Sequence, residues 1–305
     1  MKQMINQLHF SSKYKKFSPL IFLTFAIAAF ACFASTTQAA TEDELITPCQ
    51  SSWPDPDDKF CSKAPEKYEI VISEMGLCTS DPMIVSELTK DDPTDQQIFT
   101  GYSITTDCTA TLKTSGTIAD LSTGTVSLGN EGGSRPINAI YTHAYFIMNN
   151  TFGLKGSHTI DGNTYNSDSD GRAIISTSLA SPQAFTETLL TFDPEECSTY
   201  GRSAGADLPS SLGGGTMKAL LIKDGSIATC TGTKTNASKI FISYKPSQAI
   251  DLTDSSKGIV VTFTTTKTGL GVDGQDWVDG SDCSAGGQGI CSFGSGPFLP
   301  SISSF

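Results

Sequence analysis

The sequence has few charged residues, and few of those are basic. Asp, Glu, Lys and Arg make up 17% of the 305 residues, and 20 Lys and Arg stand against 32 Asp and Glu, for a net charge of −12. Without a basic patch to neutralise phosphates, a nucleic-acid partner is disfavoured, and we expect none. The composition also disfavours a coiled coil or a helical bundle, whose sequences are rich in Ala, Glu, Lys and Leu.

Long apolar segments are absent after residue 40, where no run reaches the roughly 20 residues that span a bilayer as a helix. The apolar run at residues 20–34 follows four lysines and ends in small residues before acidic Glu42. This order is typical of a signal peptide, so we predict that residues 1–40 are cleaved after Ala39 or Ala40. The alternatives are an uncleaved anchor and a lipoprotein modified at Cys32, although bulky Phe30 lies close to that cysteine.

The sequence contains no Cys-x-x-Cys pair, which leaves zinc-ribbon or thioredoxin-like chemistry unsupported. Removal of Cys32 with the signal peptide leaves an even number of cysteines. In an oxidising exported compartment such a set predicts disulfides, and sequential pairing is the simplest arrangement. The cysteines are Cys49, Cys61, Cys78, Cys108, Cys197, Cys230, Cys283 and Cys291.

Sustained helical periodicity is also missing, and short segments of alternating polarity take its place. Residues 260–266 alternate most clearly, whereas residues 137–148 are apolar on both sides and predict a strand in the centre of a sheet. Asp161-Gly162 and Asp224-Gly225 are typical of tight turns between strands. The pattern predicts an all-β fold, an antiparallel β-sandwich stabilised by disulfides.

The composition divides the mature chain into three parts. Residues 41–67 form a Pro/Asp-rich lead-in that we expect to be extended, residues 68–268 the β-sandwich domain, and residues 269–305 a Gly/Asp-rich tail that we expect to be irregular. Two small sandwiches in tandem are an alternative to one enlarged sandwich, since the Gly-rich residues 201–215 are a candidate linker.

Two segments resemble strands of a known group of domains. Residues 65–78 (PEKYEIVISEMGLC) are similar to the opening strand, and residues 138–146 (NAIYTHAYF) to the central strand, of uncharacterised exported bacterial β-sandwich domains that are carbohydrate-binding-like or prealbumin-like. The resemblance implies a β-sandwich of the cell envelope or surface without known catalysis, and it assigns no functional residue.

Serine and histidine chemistry has little support in the sequence. Residues 201–205 match Gly-x-Ser-x-Gly, but the preceding residues do not form a strand and no histidine follows Ser203, as a nucleophile elbow requires. His143 lies between Tyr141 and Tyr145 on one side of the predicted central strand, without acidic neighbours at a spacing of two. We therefore predict no catalytic residue.

Acidic and tryptophan side chains supply the remaining candidate sites. Asn166, Asp168 and Asp170, followed by Gly171, resemble the first half of a calcium loop, although Thr177 stands where its closing Glu would lie. A second acidic cluster recurs at residues 273, 276, 279 and 282; a polar turn is the alternative for both. Trp53 and Trp277 are candidates for stacking on a sugar ring, or else they cover an end of the sandwich.

These observations favour a non-catalytic protein of the periplasm, cell surface or extracellular space with a structural or adhesive role. The alternative is a glycan-binding module that depends on calcium, the one cofactor that the sequence suggests. A hydrolase that uses carboxylates comes third. The expected partner is a glycan or another envelope protein, because the negative charge disfavours anionic partners.

Overall fold

The computed structural model describes residues 46–54, 59–85, 99–122, 131–192, 197, 200–208, 210, 213–274 and 289–305. The predicted signal peptide, Trp277, Cys283 and the acidic residues 276, 279 and 282 lie outside these ranges. The described chain is nearly all β, with antiparallel strand pairs and one short 3-10 turn at Tyr200–Arg202, which confirms the predicted fold class.

Twenty-three strands are present in the described ranges. They are β1 Phe60–Lys63, β2 Lys67–Cys78, β3 Met83–Val85, β4 Phe99–Tyr102, β5 Cys108–Asp120, β6 Ala139–Tyr141, β7 His143–Asn149, β8 Thr151–Lys155, β9 Ser157–Ile160, β10 Asn163–Ser167, β11 Ala173–Ile175, β12 Phe185–Thr188, β13 Ser203–Leu208, β14 Gly215–Lys223, β15 Ser226–Ile227, β16 Cys230–Thr231, β17 Lys234–Thr235, β18 Lys239–Lys245, β19 Ile250–Leu252, β20 Ile259–Thr264, β21 Leu270–Asp273, β22 Ser292–Ser295 and β23 Leu299–Ser304. None of the helices in the described ranges is long and apolar enough to cross a bilayer.

Nine strands form the main sheet, in which β7 lies centrally as predicted. Strand β2 pairs with β5 along one edge and with β7 and then β8 along the other, so β7 and β8 together run beside β2. They part at Asn150, where β18 lies against β7 and β12 lies against β8. The Asn150 side chain donates hydrogen bonds to the carbonyls of Leu189 and Ala237, which satisfies backbone groups at the point of divergence.

Residues 137–148, predicted as one strand, form two strands in different sheets. After β6 pairs with β19, Thr142 interrupts the run and its backbone amide donates to the carbonyl of Cys78. The chain then enters the main sheet as β7, whose side chains are buried on both faces from Ala144 to Met148. Apolar periodicity locates the strands here, but it does not distinguish their partners.

Each face of the main sheet carries a hydrophobic cluster. On one face Phe146 packs edge-on against Phe263 of β20, at 5.3 Å between ring centroids, beneath a second layer of short strands. On the other face the β3–β4 pair covers Tyr145 and Phe241, and Tyr102 stacks on Phe241 at 4.0 Å. Full burial of side chains of this size contributes about 1.5–3 kcal/mol each.

The predicted lead-in and the predicted irregular tail both contain strands of the sandwich. β20 pairs with β23 and β21 pairs with β22, so residues 259–273 and 292–304 run antiparallel, and their pairing is interrupted at residues 265–269 and 296–298. Strand β1, within the lead-in, adds to β21. A Gly- and Asp-rich composition predicts an irregular tail, and that prediction is wrong for the described part of it. Its glycines instead allow close packing: Gly271 lies beneath the Phe60 ring.

Three of the predicted sequential disulfides are present. Cys49–Cys61 closes the segment before β1, Cys78–Cys108 joins the end of β2 to the start of β5, and Cys197–Cys230 bridges 33 positions. Cys291 is also disulfide-bonded. Its predicted partner, Cys283, lies outside the described residues.

The two predicted tight turns have the backbone of type I′ turns. Asp161 and Gly162 have φ of 49° and 78°, and Asp224 and Gly225 have φ of 50° and 80°. Positive φ at both central residues matches the right-handed twist of the flanking strands. These turns connect β9 to β10 and β14 to β15.

Candidate functional site

The residues of the predicted calcium loop do not all point to one place. Asn166 is buried at the end of β10, and its side-chain amide donates to the carbonyl of Leu179 at 2.6 Å. Asp168 accepts hydrogen bonds from the backbone amides of Asp170 and Arg172 at 2.9 and 2.8 Å. One carboxylate oxygen of Asp168 thus closes the turn, as is common for Asp at such positions.

A polar cleft of about 240 Å³ lies beside this turn. Its charged residues, among those the structure describes, come from three separate stretches of chain: Asp170 and Arg172 from the turn, Glu187 from β12 and Asp273 from β21. Phe60, Phe185 and Phe293 also line it. The cleft is therefore a concave site with apolar walls and a few polar groups, the usual character of a ligand site.

Backbone pairing holds the turn against the floor of the cleft. The amide of Phe293 in β22 donates to the carbonyl of Gly171 at 2.8 Å, and Arg172 forms a β-bridge with Ser292. Gly171 has φ of 80°, and a side chain there would meet the Phe185 ring at 2.9 Å. Only glycine combines this backbone conformation with this close approach.

The cleft has an excess of negative charge. The described residues that line it include three acidic ones, Asp170, Glu187 and Asp273, and one basic one, Arg172, whose guanidinium lies 3.7 Å from Asp170 at the exposed rim. Glu187 is oriented by the fold, since its carboxylate accepts the backbone amide of Ser295. Burial, and after it the charge of Glu187, raises the pKa of the neighbouring Tyr68, whose hydroxyl donates to Gly296 at 3.0 Å.

Trp53 packs close to one end of this cleft. Its ring lies against Gly274, the residue after Asp273, and it contacts the main hydrophobic cluster. Its indole nitrogen is buried and has no hydrogen-bond partner among the described residues. A half-buried ring in this position covers the end of the sandwich next to the Cys49–Cys61 segment. The other predicted stacking residue, Trp277, lies outside the described residues.

A second polar cluster, which the sequence did not reveal, lies on the opposite face of the main sheet. The carboxylate of Asp81 accepts from Lys218 at 2.6 Å and from Ser243 at 3.0 Å, and His143 lies 3.8 Å from it. Ser243 donates to Asp81 rather than to the imidazole, which instead contacts the hydroxyl of Thr142. The serine is thus not paired with a base, and the cluster anchors the segment after β2.

The Gly-x-Ser-x-Gly match lacks the geometry of a nucleophile elbow. Ser203 is buried at the start of β13, and a strand rather than a helix follows it. The structure gives no support to Ser203 as a nucleophile.

One group of three potential metal ligands is found in the described ranges. Sulfur atoms of Cys49 and Cys61 and a ring nitrogen of His158 lie within 4.8 Å of one another. The two sulfurs form a disulfide, so neither is a thiolate that could bind a metal. His158 contacts the carbonyl of Gln50 at 3.0 Å, and burial lowers its pKa.

Part of the cleft is visible in the sequence. Asp170 and Asp273 belong to the two acidic clusters noted in the sequence, whereas Glu187 and Arg172 carried no local signal because strand pairing alone brings them together. Comparison of the chain with protein-family models, curated proteins and solved structures found no match.

Proposed function

We propose that the chain is an exported, non-catalytic β-sandwich protein with an adhesive role, and that its polar cleft binds a glycan. The observation that carries this proposal is the grouping of Asp170, Arg172, Glu187 and Asp273 beside phenyl rings in one concave site. Sequence features support export: the signal-peptide pattern of residues 1–40 and the even number of cysteines after it. The three disulfides are compatible with an oxidising location.

The chemistry of the cleft suits a sugar better than an anion or an apolar molecule. Carboxylates accept hydrogen bonds from hydroxyl groups, the guanidinium donates them, and an aromatic ring can pack against the apolar face of a sugar. The excess of carboxylates repels phosphate or sulfate groups. The volume of about 240 Å³ is below the roughly 300–1,000 Å³ of pockets for drug-sized ligands, so we expect one sugar unit to enter.

Glycan-array screening followed by calorimetry with the best neutral sugar tests this proposal. We expect binding by the wild type and at least a tenfold weaker affinity in Arg172→Ala and Glu187→Gln. Lys223→Ala, at the exposed end of β14, is the matched control and should bind like the wild type. The proposal is wrong if no neutral glycan binds, or if the cleft variants bind as well as the control.

Glycoside hydrolysis is the second candidate, because Glu187 and Asp273 line the same cleft. A pair of carboxylates flanking the scissile bond is the common machinery of such enzymes. Incubation with the bound glycan and measurement of new reducing ends separates the two functions. Turnover that disappears in Glu187→Gln would assign hydrolysis, and intact glycan after prolonged incubation supports binding alone.

A further inference from the structure

A second cavity lies inside the sandwich, and its lining is apolar. It has a volume of about 80 Å³ and lies between the main sheet and the bend that connects β22 to β23. Its walls include Met217 and Ala219 of β14, Ile242 of β18 and Phe298. The hydroxyl of Tyr68, which also lines it, is already bonded to the carbonyl of Gly296. Water entering this space would find few hydrogen-bond partners.

Small residues in the outer strands give access to this cavity. Ala204 and Ala206 of β13, together with Met217 and Ala219 of β14, line the cavity yet are only partly buried. β13 is the last strand on that side of the main sheet, so the cavity extends from buried core residues such as Tyr68 and Phe152 to a sheet edge. Short side chains here leave space through which an apolar group can enter.

We propose that this cavity is a binding site for a small saturated hydrocarbon group. An apolar cavity of about 150 Å³ in another protein stays dry and binds benzene or xenon, so a cavity about half as large suits xenon or a group of about three to four carbons. Such a group can belong to a free small molecule or to the end of an acyl chain whose polar head stays in water at the β13 edge. This site is separate from the polar cleft and does not depend on its ligand.

Methyl NMR of the protein labelled with ¹³C at its methionine methyl groups tests the proposal. Met217 lines the cavity, whereas Met83 is buried on the other face of the main sheet and serves as an internal reference. We expect saturable shifts of the Met217 signal, with Met83 unchanged, on addition of xenon. A titration with octanoate distinguishes an acyl chain from a free small molecule. A shift of the Met217 signal with octanoate indicates that an acyl chain enters the cavity, whereas a shift with xenon alone indicates a free small molecule.

Filling the cavity provides the matched control. Ala219→Leu should abolish the response of Met217. Ala206→Val is a smaller change that should weaken the response, and it serves as the test if Ala219→Leu does not fold. Ala139→Leu adds the same group as Ala219→Leu at a partly buried position outside the cavity lining and should retain the response. The proposal is overturned if Met217 responds to neither xenon nor octanoate in the wild type, or if the response survives both filling variants.

Discussion

The ammonium group of Lys218 lies 2.6 Å from the carboxylate of Asp81, across 137 positions of sequence. Burial acts to raise the pKa of Asp81, but the hydrogen bonds from Lys218, Met83 and Ser243 outweigh it and the pKa is lowered. The carboxylate is therefore held in its charged form, and it ties the segment after β2 to the face of β14 and β18.

We expect Lys218→Met to destabilise the protein by about 1–2 kcal/mol at neutral pH, because a partly buried carboxylate loses a charged partner. The pKa of Asp81 in the folded state lies below its ordinary value. The charged carboxylate therefore makes its full contribution to the free energy of unfolding above about pH 4, and this contribution is lost as the pH falls through the lower folded-state pKa. Urea unfolding at pH 7 and pH 3 measures this. Lys223→Met is the exposed control, and equal losses in the two variants would contradict the prediction.

Two histidines should make the fold sensitive to mild acid. Burial lowers the pKa of both His143 and His158, despite the charge of Asp81 near the first and the hydrogen bond of the second to Gln50. Lys218 and Lys245 also lower the pKa of His143. Stability should therefore fall as the pH drops from about 6.5, the ordinary histidine value. The measurement is the melting temperature between pH 7.5 and 5. We expect its decrease to be smaller in His143→Gln and in His158→Gln than in the wild type, and smallest in the double variant. An unchanged fall in the double variant would exclude the histidines as its source.

The Cys78–Cys108 bridge closes a loop of 30 positions. On the chain-entropy model, its removal should cost about 3–4 kcal/mol, and removal of the shorter Cys49–Cys61 loop somewhat less. Chemical unfolding of the paired Cys→Ala variants tests the size and the order of these losses. Thiol titration of the unreduced, denatured wild type should find no free thiol in the exported chain. Two or more free thiols per chain would refute full pairing.

Calcium should leave the melting temperature unchanged, because Asp168 already accepts two backbone amides and Asn166 is bonded within the core. Asp168→Ala should nevertheless destabilise the protein by about 1 kcal/mol through loss of the turn contacts, and by the same amount in chelator and in millimolar calcium. A rise in the wild-type melting temperature with calcium that Asp168→Ala abolishes would establish the calcium loop that the sequence suggests.

Local signals predicted the local features of this fold. The Asp161-Gly162 turn is predictable from its own two residues, and the alternating burial of β20 is predictable from its six residues. The cleft depends on pairs that are distant in sequence: Glu187 reaches Ser295, and Arg172 lies beside Ser292. Periodicity carries no information on such partners. Glycine-rich sequence predicts irregular chain, but at Gly271 glycine allows the Phe60 ring to pack closely on a strand.

The pairing of β1 with β21 sets an order of events during folding. Phe60 lies opposite Asp273, so β1, which is bridged to Pro48 through Ser62, lacks its antiparallel partner strand until residues 270–273 are available. A chain that emerges from its N-terminus can close the Cys49–Cys61 loop early, but β1 must wait for β21. Contacts this distant in sequence slow folding, because loop closure comes before any gain from pairing. Until β21 is available, the edge of β1 that β21 covers is open to wrong pairing.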